Sequence, residues 1–83
     1  MKSVYSENYR LFLKLIISAR RDSGFTQQEL AKILKRPQSF ISKYERGERR
    51  LDLIEFLEIL SALGLDPSDF IKDFINKSGN KRL

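Results

Sequence analysis

Apolar residues recur along this chain every three or four positions, and nowhere do they alternate with polar ones for long enough to predict a strand. Helix boundaries are marked as well. Gly24, Gly47, Gly64 and Gly79 each follow a helix-like stretch, where glycine can adopt the left-handed conformation that ends a helix. Thr26 with Glu29 and Asp52 with Glu55 have capping-box spacing. Asp66-Pro67 reads as an N-cap followed by a proline, whose missing N–H costs nothing in the first helical turn. These signals predict five helices over 6–22, 26–34, 37–46, 52–63 and 67–77. The short linkers between them favour a compact bundle. The expected organisation is a single domain over 1–77 and a frayed tail over 78–83.

The helical period selects a candidate core. On the first helix Tyr5, Tyr9, Phe12, Leu13, Ile16, Ala19 and Arg20 share a face. The second contributes Leu30, Ala31 and Leu34, with Ile33 toward its edge, and the third Phe40, Ile41 and Tyr44. The fourth contributes Ile54, Phe56, Leu57, Leu60 and Leu63. At roughly 1.5–3 kcal/mol for each large apolar side chain fully buried, this set suffices for a small domain. The aromatic residues are therefore assigned to the core rather than to a ligand-stacking surface.

Composition narrows the chemistry. The 83 residues include no cysteine and no histidine, which removes disulfides, thiolate zinc sites, a nucleophilic cysteine and the usual general base near neutral pH. Apolar runs such as Leu15 to Ile17 are far shorter than a membrane span requires. The N-terminus lacks the apolar stretch of a secretion signal, so the expected location is the cytoplasm. Carboxylates at helical spacing, Glu55 with Glu58 and Asp69 with Asp73, read as solvated faces rather than catalytic pairs. Neither an enzyme nor a bound cofactor or metal is expected.

Charge is distributed unevenly. Residues 1–50 carry a net +7, residues 51–73 a net −5 and the last ten a net +3, for an overall +5. One surface thus suits a polyanion while another turns away from it. The basic part includes residues 26–47, TQQELAKILKRPQSFISKYERG, a capped short helix, a tight turn and a second short helix. That order is a helix-turn-helix, and small Ala31 would let the two helices cross closely.

The strings T-Q-Q-E-L-A-K-I-L and P-Q-S-F-I-S-K-Y-E-R-G, followed by a helix ending A-L-G, resemble the Xre family of helix-turn-helix proteins, the Cro and phage-repressor type, over about Ile16 to Phe70. The resemblance implies an all-α, five-helix, lambda-repressor-like domain that binds duplex DNA, commonly as a homodimer. It also implies that Gln27 holds a backbone phosphate, in keeping with its place at a helix start. It implies, too, that Arg20 and Glu45 form an ion pair joining the first helix to the recognition helix. The sequence departs from the family pattern over Lys35, Arg36 and Pro37, where members usually carry glycine, an apolar residue and a serine cap. The exact geometry of the turn is the feature these changes touch.

A recognition helix reads bases from its N-terminal part, and here it exposes Gln38, Ser39, Ser42 and Lys43. The Gln38 amide can pair with adenine N6 and N7, and Lys43 can reach a guanine or a phosphate. Ser39 and Ser42 are short enough to permit close approach. Lys35, Arg36, Arg46, Arg49 and Arg50 surround the same face and suit phosphates. The last helix holds Phe70, Ile71, Phe74 and Ile75, and the first has a second apolar stripe at Val4, Leu11 and Leu15. Apolar surface beyond the core predicts a homodimer, bound to an inverted-repeat operator in double-stranded DNA as a repressor or autoregulator. The competing reading is a protein-interaction module on the same scaffold, such as an antitoxin or complex subunit with little DNA specificity.

Overall fold

A computed structural model describes residues 6–79, which form α1 (Glu7–Asp22), α2 (Gln27–Leu34), α3 (Gln38–Glu45), α4 (Leu53–Leu63) and α5 (Pro67–Lys77). There is no strand among the described residues, and the five helices agree with the sequence-based boundaries to within a residue. Val4, Tyr5 and the tail from Asn80 onward lie outside the described residues.

Local chemistry accounts for the ends. Ser6, Thr26, Asp52 and Asp66 each accept a first-turn amide at the start of a helix. Both capping boxes are closed, with Glu29 and Glu55 accepting in return from the amides of Thr26 and Asp52. Pro37 occupies the N-cap of α3 at φ −66° and ψ 151°, with no capping oxygen to offer. The α2–α3 turn is closed by a non-glycine in the left-handed region: Lys35 sits at φ 58°, ψ 43°. The Arg36 amide there donates to the Ala31 carbonyl at 3.0 Å and the Lys35 amide to Lys32 at 3.2 Å, the paired bonds of a Schellman ending. Gly64 closes α4 in the same way, its neighbour Leu65 donating to Leu60.

The core is built from Ile16 of α1, Leu30 and Ala31 of α2, Phe40, Ile41 and Tyr44 of α3, and Phe56, Ile59, Leu60 and Leu63 of α4. On α4 the buried stripe falls differently from the sequence reading. Ile54 is 61% exposed and Leu57 also faces outward, while Ile59 is buried. Residues 56, 59, 60 and 63 form the i, i+3, i+4, i+7 stripe that meets the neighbouring helices. Because α4 is apolar around most of its circumference, periodicity alone left its phase open. Phe12, Phe56 and Phe70 meet with ring centroids 5.2 to 5.9 Å apart and fasten α5 to α1 and α4. Tyr44 is fully buried, and its hydroxyl has no hydrogen-bond partner among the described residues. Burial pushes its ionisation well above the ordinary tyrosine range.

Candidate nucleic-acid interface

The α2–α3 hairpin is held from below by a buried ion pair. Arg20 on α1 donates from Nε to Glu45 Oε2 at 2.8 Å and from Nη2 to Glu45 Oε1 at 3.1 Å. Its remaining nitrogen, Nη1, donates to the Phe25 carbonyl at 2.7 Å. Both side chains are almost fully buried, and the Glu45 contact raises the already high pKa of the guanidinium. A single arginine thus ties α1, the α1–α2 loop and the end of α3 together.

The same carboxylate reaches outward to the exposed face. Gln27 Nε2 donates to Glu45 Oε1 at 2.8 Å, and Gln38 Nε2 donates to Gln27 Oε1 at 3.3 Å. A chain of hydrogen bonds therefore runs from buried Arg20 through Glu45 and half-buried Gln27 to exposed Gln38, at the first position of α3. Ser39 and Lys43 are exposed beside Gln38, and Ser42 is half-buried, its hydroxyl turned back to the Ser39 carbonyl at 3.3 Å. The hairpin thus brings Gln27 and Gln38 into contact although eleven residues separate them.

The cations around this face are held in different ways. Lys35 and Lys43 are exposed and make no ion pair within 4 Å among the described residues. Arg46 pairs with Glu48 at 2.9 Å, both side chains more than half exposed, and Arg50 lies over the Tyr9 ring at 4.2 Å. Arg36 and Arg49 differ from these. They converge on the Phe40 ring, with guanidinium carbons 4.3 and 5.0 Å from its centroid, and both face Glu55. Arg49 grips that carboxylate with two bonds of 2.6 and 2.9 Å, and Arg36 stands 3.7 Å away.

Glu55 is the residue the sequence reading missed. Read there as a cap and a solvated carboxylate, it is 8% exposed and anchors two arginines. The bonds from Arg49 lower its pKa to about 2, with the Asp52 amide assisting. Its capping-box spacing was legible in the sequence. Its contacts with Arg36 and Arg49 were not, because they depend on how α4 packs against α2 and the turn that follows it.

The proposed dimer residues fall into two groups. Ile71 and Ile75 are exposed, and Phe74 is half-buried. Phe70 turns inward onto Phe12 and Phe56, which places it within the protomer. Leu11 and Leu15 are half-buried and line a groove between α1 and α5 together with Phe70.

Two short helices crossing over a tight turn, the second presenting short polar side chains within a basic surround, define a helix-turn-helix protein. A helix-turn-helix family model matches residues 16–70. The structure is similar to a solved one described as an XRE-family like protein from Pseudomonas syringae pv. tomato str. DC3000, with a TM-score of 0.84, 42% identity, and coverage of 92% of this chain and 93% of the other. No curated protein matches the chain. The chain belongs to the XRE-type helix-turn-helix family, a family of DNA-binding regulators of transcription. Among the described residues no helix is long and apolar enough to cross a membrane.

Proposed function

We propose that the protein is a sequence-specific regulator, a repressor or autoregulator, that binds an inverted-repeat operator as a homodimer with α3 in the major groove. The observation that carries this reading is the hydrogen-bonded line from the Arg20–Glu45 pair through Gln27 to Gln38. A base-reading amide is of most use when its orientation is fixed before DNA arrives, since less side-chain freedom is then lost on binding. Gln38 pairs with a base edge, Ser39 and Ser42 allow close approach, and Lys43 reaches a base or a phosphate. Gln27, Lys35, Arg46 and Arg50 contact the phosphates. The exposed Ile71 and Ile75, with Phe74 and the Leu11 and Leu15 groove, supply the surface for the second copy.

The test is selection of binders from a random duplex pool at physiological salt. Enrichment of an inverted repeat is the expected result, together with a loss of about 1–3 kcal/mol of discrimination at one base in each half-site for Gln38→Ala. A pool that gains no common sequence would sink the regulator reading and favour a protein-interaction module on the same scaffold.

A further inference from the structure

Arg36 and Arg49 flank the recognition helix, one in the turn before it and one in the loop after it, where cations ordinarily serve phosphate binding. Here both guanidiniums are turned onto Phe40 and toward Glu55, and Arg36 also stands 3.9 Å from the exposed carboxylate of Glu58. Nearby Arg46–Glu48 differs in kind. Its partners are 58% and 53% exposed, so either can exchange the other for water or phosphate at little cost. The Glu55 side chain is only 10% exposed and spends one oxygen on the Asp52 amide as well. If Arg49 left for a phosphate, a largely buried carboxylate would lose its bidentate partner.

We propose that Glu55 is an internal counter-anion that withholds Arg36 and Arg49 from DNA phosphates and so limits sequence-independent attraction, leaving specificity to α3. This rests on the DNA-binding reading and adds to it a residue that sets the strength of sequence-independent binding while contacting no DNA. Phosphate contacts raise affinity for every sequence alike, so holding two cations back lowers absolute affinity for non-operator DNA and weakens its salt dependence without changing which base edges are read. The other arrangement this geometry permits has the opposite sign. If Glu55 instead aimed the arginines at phosphates, removing its charge would weaken binding.

Glu55→Gln removes the charge while retaining an oxygen for the Asp52 amide, as the capping box tolerates either residue. The measurement is the salt dependence of affinity for a random-sequence duplex, with helix content checked by circular dichroism. Each phosphate contact contributes about −0.9 to the slope of log affinity against log salt, so Glu55→Gln is expected to steepen it by about one to two and to tighten non-specific binding at low salt. Asp69→Asn on α5 removes the same charge away from the cluster and is expected to leave the slope unchanged. Arg36→Gln with Arg49→Gln in the Glu55→Gln background is expected to abolish the gain. A slope for Glu55→Gln that is unchanged or shallower overturns the proposal, and so does a gain that survives loss of both arginines. If the wild-type chain binds no duplex even at low salt, the DNA-binding reading falls, and this proposal with it.

Discussion

Arg20 shows how much of this interface depends on a residue that touches no exposed surface. Its guanidinium satisfies two oxygens of Glu45 and the carbonyl of Phe25, and Glu45 in turn orients Gln27. Arg20→Ala would leave a buried carboxylate unpaired, and the expected loss is about 3–5 kcal/mol of unfolding free energy, measured by urea titration. Replacing both partners with apolar residues of matched volume is expected to cost far less than either single change, because no charge is then stranded. Even such a stable double variant should read its operator poorly, since Gln27 and Gln38 lose their anchor. A single variant as stable as the wild type would show that the pair does not hold the hairpin. The spacing of Arg20 and Glu45 carried no signal in itself. The pair became legible through the family resemblance, whereas Glu55 had no such guide and was read as solvent-facing.

Among the elements, the α2–α3 turn carries the clearest local conflict. Lys35 is the one non-glycine residue with positive φ among the described residues, and a side chain in the left-handed region costs roughly 1–2 kcal/mol. The turn persists because Arg36 and Lys35 both satisfy carbonyls at the end of α2, and because Ala31 lets α3 pack closely. Lys35→Gly relieves the strain but gives the unfolded chain more freedom. The net expectation is a gain of up to about 1 kcal/mol, seen as a higher thermal midpoint. Lys35→Val, β-branched at the same φ, should lower the midpoint, and equal midpoints for the two would show that the turn is unstrained. The sequence indicated the end of α2 and the departure from glycine, but left open whether Lys35 would enter the left-handed region. The existence of all five helices was legible because caps, glycines and apolar spacing are local properties. The phase of α4 was not, since Ile54, Leu57 and Ile59 are equally apolar and only packing against α2, α3 and α5 separates them.

At the scale of the whole molecule, α5 faces two ways. Phe70 closes the protomer's core, while Ile71 and Ile75 remain exposed on the other side of the same helix. If the proposed dimer is built on that outer side, Ile71→Lys with Ile75→Lys is expected to give a folded monomer by sedimentation. Because linking two half-sites multiplies affinity through effective concentration, binding to a two-half-site operator should then fall by about 100-fold or more. Binding to an isolated half-site should change little. A variant that stays dimeric would move the interface to another surface.

What the sequence determined by itself was set by neighbours along the chain: five helices, the N-caps of α2, α4 and α5, a helix-turn-helix between Thr26 and Gly47, and a basic part followed by an acidic one. Tertiary structure decided which carboxylate met which cation. Glu55 lies six residues from Arg49 and nineteen from Arg36, and neither spacing has a preferred meaning until α4 packs against α2. The same holds for Gln27 and Gln38, and for Phe70 against Phe12. A helix propagates through bonds four residues apart and leaves a local record, whereas contacts between helices depend on crossing geometry that the whole core settles at once.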